Sequence, residues 1–501
     1  MMRFRRSDSF VFHAALALLL CVAGAPAFGA TTSGCAADPS APTFSELSRQ
    51  QQQQLDDLEQ RTFEFFWDTV NPANGLVPDH WPGKSFSSIA AVGFALTGYG
   101  IGAERGWVTR KQAAQRTLTT LEFFAHAPQG DSLFGDSGYH GFFYHFLDMK
   151  TGLRDGKWVE LSSIDTTLLL GGVLFAQSYF DRDTPVERKI RKLADQIYRR
   201  VDWTWMRARP PLVTMGWRPE SGLGKSDWEG YDEAMLLYVL ALGSPTHALK
   251  PGAWKAWTST YSRTWGEFQG YRFLNFGPLF GHQYSQAWID FRGIKDAWMR
   301  RHDSTYFANS RCAARAQRAY AIANPNGWSG YGAKLWGLTA SNGPGNFQFS
   351  AASGQGIFFG YTARGAGLGH IRDDGTIAPT AAAASIAFAP RIAVGAIEHM
   401  LKHYGKIIYG KYGFYDAFNL SFDYPKVKPR SGRVVLGFGW VDNEYLGIDQ
   451  GPILLMLENY RSGLVWNVMR RNPYIRRGLE RAGFTGGWLE ADPDDEASAT
   501  P

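Results

Sequence analysis

The sequence predicts an all-α protein, and three observations carry that prediction. Helical periodicities recur along the 501 residues, with no convincing run of strand-type alternation between the two ends. The helical segments are of two kinds. "IDTTLLLGGVLFAQSYF" and "DEAMLLYVLAL" are apolar on most faces, whereas "PVERKIRKLADQIYRRV" keeps its charge on one side and a stripe at Ile190, Leu193, Ile197 and Val201. Buried helices followed by amphipathic ones are how a toroid of helical hairpins sorts an inner and an outer ring, although a plain orthogonal bundle produces a similar list. Third, long Gly-rich loops such as "RPESGLGKSDWEGY" and "WSGYGAKLWGLTASNGPGNFQF" interrupt the helices. Loops of that length in a compact domain are more often functional than slack.

The elements follow in chain order. "MMRFRR" is a basic n-region, "FVFHAALALLLCVAG" an apolar h-region and Ala25–Ala27 an A-x-A cleavage site, so residues 1–27 read as a signal peptide. No later stretch approaches about 18 consecutive apolar residues, the length a membrane span needs. Export to the periplasm or outside, with no membrane insertion after cleavage, is expected. Residues 28–45 read as a small-residue linker, and a polar-to-apolar helix over 49–70 docks through Phe63, Phe66 and Trp67. Further helices are expected over 88–104, 108–126, 163–180, 185–207, 232–243, 253–268, 284–300, 303–323, 380–404 and 452–470. One domain over 46–485 holds them all, and 486–501 reads as an acidic disordered tail.

Composition narrows the partners. Loss of the signal takes Arg3, Arg5, Arg6 and Asp8, so the formal charge falls from +6 to +4. No basic block suits nucleic acid or an anionic membrane. Of three cysteines Cys21 leaves with the signal; Cys35 and Cys312 are allowed to pair in an oxidising compartment, but two cysteines make no scaffold. Aromatics reach 15% with 18 Trp, clustered mid-chain near Gly and charged residues. Packing is the ordinary role of any one of them; the clustering is what stacking of rings on flat apolar sugar faces requires.

The absent motifs exclude as much. There is no G-x-S-x-G nucleophile elbow and no dinucleotide fingerprint. "GLGKS" has Pro219 where a phosphate loop needs its first glycine. His399 and His403 stand at i, i+4 but lack a third ligand, so no metal or other cofactor is expected. Carboxylates are the exception. Asp232 and Glu233 open an otherwise uncharged helix, where Asp232 serves as N-cap and Glu233 is merely comfortable at the positive end of the helix dipole, which leaves it in want of a second reason. Glu160 and Asp165 stand at the entrance of another buried helix, with Ser162 to Asp165 at capping-box spacing. Asp165, Leu169 and Gly172 share a face whose small residues leave room for something to approach. Asp416 lies between aromatics, and Asp449 just before a Gly-Pro helix start. One such position is a cap; four point to acids converging at one end of a helical ring. Paired carboxyls, one protonated and one ionised, are the requirement of glycosidic hydrolysis, and an apolar wall raises the acid's pKa.

Seven stretches then resemble one family: "YDEAMLLYVLALGSPTH" (231–247), "FGPLFGHQYSQAWIDFRG" (276–293), "NPNGWSGYG" (324–332), "LWGLTASNGP" (335–344), "DGTIAPTAA" (374–382), "KYGFYDAFN" (411–419) and "YLGIDQGPILLMLENYRSGLVW" (445–466). They are similar to the glucoamylase-like domain family of bacterial glycoside hydrolases, of the endo-β-1,2-glucanase (glycoside hydrolase family 144) type. The resemblance implies an (α/α)6 toroid with a sugar cleft at one mouth and long loops around it, and hydrolysis of β-linked glucan without a metal. It makes Glu233 the leading candidate acid, with Asp165 and Asp416 next. Two departures stand out: Asn342 where the family usually has Asp, and Ala387 and Arg391 in "SIAFAPR" where it usually has a Pro-Phe step and a following Glu.

The expected activity is therefore an exported, monomeric glycoside hydrolase acting on β-1,2-glucan with inversion. Glu233 protonates the departing oxygen, directly or through a sugar hydroxyl, and Asp416 or Asp165 activates water. Glu160 and Asp449 position them. Trp217, Trp228, Tyr231, His282, Trp288, Arg292, Trp328 and Trp336 are the candidate subsite walls and hydroxyl contacts. A retaining transglycosylase on the same scaffold and a glycan-binding protein without turnover stay open as alternatives.

Overall fold

Helices alternate along the chain in character as their sequences do. The structure, a computed structural model, describes residues 35–351 and 354–490. The expected signal peptide, Cys21, the first part of the expected linker and most of the acidic tail lie outside those residues. Ser48 opens α1 (Arg49–Thr69) with a capping box to Gln51, and Phe63, Phe65 and Phe66 face inward. α2 (Ile89–Glu104) is buried on nearly every side, α3 (Arg110–His126) on one side only. α4 (Ser163–Tyr179) is again buried, and α5 (Pro185–Arg200) buries Ile190, Leu193 and Ile197. α5 stops at Arg200 rather than 207, because Asp202 accepts from the backbone of Thr204 and Trp205 and turns the chain away.

The second half departs further from expectation. α6 (Met235–Gly243) begins after Glu233 rather than before it. The helix expected over 253–268 is instead α7 (Gly252–Trp257), α8 (Tyr261–Thr264) and a hairpin that pairs Trp265–Phe268 with Tyr271–Leu274. Gln269 and Gly270, both at positive φ, make its two-residue turn. The helix expected over 284–300 divides into α9 (Phe280–Trp288) and α10 (Ala297–Arg301), the latter capped by Asp296. α11 (Tyr306–Ala323) stands close to its expected place. Pro390 splits the next expectation into α12 (Pro379–Ala383) and α13 (Pro390–Ile408). α14 (Gly447–Arg461) starts five residues early, carries Pro452 inside, and is parted from α15 (Leu464–Arg470) by Gly463 at φ 71°. α16 (Pro473–Arg481), capped by Asn472, was not anticipated.

Packing sorts these helices into two sets. α2 lies against α4, α4 against α6, α6 against α9, α12 against α14, and α14 against α2. Gln283 of α9 donates to Ala381 O of α12 at 2.9 Å, which completes the circuit. Outside them α3 covers α2, α5 covers α4, α16 covers α6, α11 covers α9, α13 covers α12, and α1 covers both α2 and α14. The small-residue face of α4 has a structural answer. A side chain at Gly172 would meet Gly93 O at 2.0 Å, so the two helices cross backbone to backbone, and what approaches Gly172 is α2.

Short strands, none longer than five residues among those described, gather where the inner helices begin. Ser87–Ser88 precedes α2, Leu161–Ser162 precedes α4 and Tyr445–Leu446 precedes α14. Leu161–Ser162 is the middle strand of a five-stranded antiparallel sheet with Gly138–Tyr139, Phe142–Tyr144, Gly216–Arg218 and Gly222–Leu223. Such strands are too short to show a period of two in sequence. Residues 35–45 lie on the domain: Cys35 is disulfide-bonded to Cys312 of α11, and Tyr460 of α14 donates to Pro42 O at 2.7 Å. At the other end Trp488 is buried and donates to Asp290 O, so the ordered domain runs past residue 485.

Candidate active site

Three of the inner helices, α4, α6 and α14, carry a carboxylate in the first turn or just ahead of it, on the side where the strands gather. Ser162 caps α4: its Oγ accepts from Asp165 N at 3.1 Å and donates to Asp165 Oδ2 at 2.6 Å. The other Asp165 oxygen is 3.3 Å from His145 Nε2, while His145 Nδ1 is 3.0 Å from Glu160 Oε1. Arg218 completes the row at 3.3 Å from Glu160 Oε2. Burial alone would discharge His145, but Asp165 and Glu160 on its two sides raise it to about 9, so it stands as an imidazolium near neutrality. Burial also works against the charge on Glu160; the His145 bond more than offsets it and holds Glu160 below its ordinary value. Asp165, more deeply buried, stays raised despite His145.

Asp232 and Glu233 divide differently from the sequence expectation. Asp232 is not the N-cap of α6, a place taken by Ala234; it accepts from Ala234 N at 3.0 Å and from Trp257 Nε1 at 3.3 Å, fixing the turn ahead of the helix. Glu233 keeps some exposure, and its backbone carbonyl accepts from Ser285 Oγ at 3.0 Å. Burial, and then the neighbouring Asp232, push the Glu233 carboxyl up to about 8.

A second group faces them. Asp416 Oδ2 accepts from Asn342 N at 2.6 Å. Asp416 and Asp449 are in side-chain hydrogen-bond contact, and Asp416 Oδ1 and Asp449 Oδ2 have no other donor. One proton held between the two carboxyls would satisfy both of those oxygens. Burial and the Asp449 charge accordingly raise Asp416 well above the carboxylate range, and burial raises Asp449 to about 7. The Asn342 amide reaches Asp442 at 2.8 Å and Glu444 at 3.4 Å. Beneath Asn342 the fully buried Arg364 pairs bidentately with Asp374 and donates to Ser341 O, Asn342 O, Phe359 O and Gly360 O. One guanidinium thus ties together the loops that hold Asn342 in place.

Between the two groups lies a cleft of about 610 Å³, with Asp79, His80, His145, Asn342, Tyr361 and Glu444 on its wall. Three of the predicted acids stand one contact behind that wall, and Glu233 is not among the residues that line it. Glu160 and Asp165 reach it through His145, and Asp416 through Asn342. Burial, and then the charges of Asp449, Tyr361, Glu233 and Asp165, raise the hydroxyl of buried Tyr284 of α9, so acids of both groups act on it. Asp79 acts on His145, Asp165 and Asp449 alike. Structure therefore adds Asp79, His145, Asp442 and Glu444, which sequence reasoning missed. "WVDNEYLGIDQG", with two acids ahead of a buried helix and a third in its first turn, is the signal that could have found two of them.

The eight candidate sugar contacts fare differently, and none is on the cleft wall. Trp228 donates to Ser163 Oγ, Tyr231 bonds His282 Nδ1, and Trp288 donates to Thr97 Oγ1 and stacks on Phe94, all buried. His282 is held neutral by burial, with its pKa near 4, and Trp336 is fully buried. These five belong to the core, because rings that pack on each other leave no face for a ligand. Arg292 clamps Asp290 and covers Trp466, Trp328 donates to Asp373 Oδ2, and Trp217 packs with Tyr139 and Trp205. Ala387 and Arg391 are also elsewhere, in a pocket of about 270 Å³ under the N-terminal segment with Asp38 and Arg311. Of the two family departures only Asn342 reaches the cleft. Among the described residues no cluster of three or more His, Cys, Asp and Glu has the form of a metal site.

Comparison with known proteins gives concordant relatives. The family model Glycoamylase ("Putative glucoamylase") matches residues 225–473. A glucoamylase-type crystal structure from Bacteroides uniformis is 31% identical, with TM-score 0.73, over 89% of this chain and 99% of that one. The endo-β-1,2-glucanase of Chitinophaga pinensis, solved with sophorotriose and glucose, is 27% identical with TM-score 0.74 over 88% of this chain and all of its own. The exo β-1,2-glucooligosaccharide sophorohydrolase of Parabacteroides distasonis is 28% identical over 461 residues, 86% of this chain; the match spans 58% of that enzyme's length.

Proposed function

This chain belongs to the glucoamylase-like family, and on that premise we propose that it is an exported glycoside hydrolase cleaving β-1,2-linked glucan by acid and base with inversion. Relatives named for β-1,2-glucan hydrolysis support the substrate. The closed circuit of α2, α4, α6, α9, α12 and α14 inside an outer set supports an (α/α)6 toroid. What carries the mechanism is the contrast between two carboxyl environments that both act on buried Tyr284: Glu233, pushed up to about 8 by burial and then Asp232, and the Asp416–Asp449 pair, whose adjacent carboxyls are both raised.

Inverting hydrolysis needs a protonated carboxyl to give a proton to the departing oxygen and an ionised one to take a proton from the attacking water. Glu233 is protonated at neutral pH and serves as the acid, directly or through a sugar hydroxyl. Asp416 serves as the base. Its remaining negative charge is shared with Asp449, and Asn342 N holds its orientation. Asp165, steadied by Ser162 and His145, and Glu160 beyond it shape the field on the Glu233 side. The enzyme works as a periplasmic or secreted monomer.

The test uses purified mature protein with linear β-1,2-glucan beside β-1,3-, β-1,4- and β-1,6-glucans, followed by NMR for product size and anomer. Short products of inverted anomer from the β-1,2-chain alone, lost on Glu233→Gln by about 100- to 10,000-fold in kcat, are expected. A retained anomer overturns inversion. Binding of the chain without turnover leaves a glycan-binding protein in its place.

A further inference from the structure

Within the reading of the cleft as a glucan site, we propose that Trp158, backed by Phe86 and Phe146, is an outer subsite that stacks a glucosyl residue beyond those beside the reacting bond. Trp158 is 54% exposed, one of several large apolar side chains open at the surface and, with Trp81, one of two such tryptophans among the described residues. Its indole lies 5.3 Å from the Phe146 ring and 5.4 Å from the Phe86 ring, and both phenyl rings line the cleft. Phe146 in turn stacks on His145 at 3.8 Å, the imidazolium that bridges Glu160 and Asp165. A continuous aromatic surface therefore leads from the acids out to solvent.

The loop that carries Trp158 is held in place. Arg154 donates to Val159 O and Lys157 O and pairs with Glu220, while Arg218 donates to Trp158 O at 3.1 Å and to Glu160. Gly156, at φ 90°, lets the indole edge lie close; a side chain there would meet Trp158 Cδ1 at 3.2 Å. A ring fixed with its face open, beside a charge pair that leaves polar edges and little net charge, suits a neutral hydroxylated ligand. Continuity with the cleft makes that ligand the outer part of the same glucan.

The test compares wild type, Trp158→Ala and Trp158→Phe on β-1,2-gluco-oligosaccharides of increasing length, with thermal midpoint and solution mass recorded for each. Loss of the indole is expected to raise KM about tenfold on long chains, with kcat and the shortest hydrolysed substrate unchanged and Phe restoring most of the affinity. Equal kinetics at every length, a uniform loss at every length with a lowered midpoint, or a changed oligomeric mass with unchanged kinetics each overturn it. The last outcome would make the ring a contact between copies. Should wild type cleave none of them, the hydrolase reading fails separately, and calorimetric binding of the same series decides the subsite. About tenfold weaker binding by Trp158→Ala supports it; equal binding or none overturns it.

Discussion

Two neighbouring carboxylates, Asp232 and Glu233, show how much one bond decides. Asp232 is spent on Ala234 N and Trp257 Nε1, which leaves it structural. Glu233, next to it, carries the negative neighbour's influence and a pKa near 8. In its proposed role as general acid Glu233 must be protonated, so activity is expected to fall as pH rises through that value. Asp232→Asn removes the charge that helps raise Glu233, so the alkaline limb of kcat/KM should move to lower pH, toward the ordinary carboxyl range. A limb that stays in place would show that burial alone sets the acid. On the other side, Asp449→Asn removes the charge that raises Asp416, and the acidic limb should move down as well.

At the scale of elements, the cleft loops depend on a buried ion pair rather than on strand pairing. Arg364 and Asp374 are both fully buried, and their bonds run to the loops at 341–342 and 359–360. Burial opposes the charge on Asp374, but Arg364 holds its pKa below the ordinary value. A depressed carboxylate stabilises the fold above its unfolded pKa of about 4 and loses that contribution as pH falls through the lower folded value. Asp374→Asn leaves the guanidinium uncompensated and is expected to cost about 3–5 kcal/mol in chemical denaturation at pH 7. Element legibility follows length. α1 and α11 were readable because many turns repeat one face, and α2 and α4 because an apolar run persists over four turns or more. Residues 253–268 misled because "WGEFQGYRFL" has few residues per face and its turn depends on two positive φ angles. Pro390 and Gly463 marked breaks that the apolar pattern alone ran through.

Across the whole molecule the acid cluster is a source of instability that packing must carry. Asp232 and Asp449 near 7, and Glu233 and Asp442 near 8, are all raised, chiefly by burial, above their unfolded values of about 4. The folded state therefore binds more protons than the unfolded one between those limits, and stability falls as pH rises through them. The thermal midpoint is expected to be lower at pH 8.5 than at pH 5, and Asp442→Asn should flatten that slope. A midpoint rising over this range would mean that the cluster is not buried in solution as it is here. Under the proposed mechanism activity and stability pull apart at this site, since the desolvation that keeps Glu233 protonated is what destabilises its ionised form.

What the sequence by itself determined was the helical class, the succession of buried and one-sided helices, and the acids at the entrances of α4, α6 and α14. Each is local: periodicity and a charge beside an apolar run are visible within about 20 residues. Tertiary structure alone decided which aromatics meet solvent. Trp288 and Trp336 carry the same local signal as Trp158, yet the first two are filled in by neighbours far along the chain and the last is left open. It also decided that His145 bridges Glu160 and Asp165, that Asp416 meets Asp449, and that Cys35 meets Cys312. Those pairings join residues separated by up to 277 positions, and a contact across such a distance leaves no mark on either local stretch.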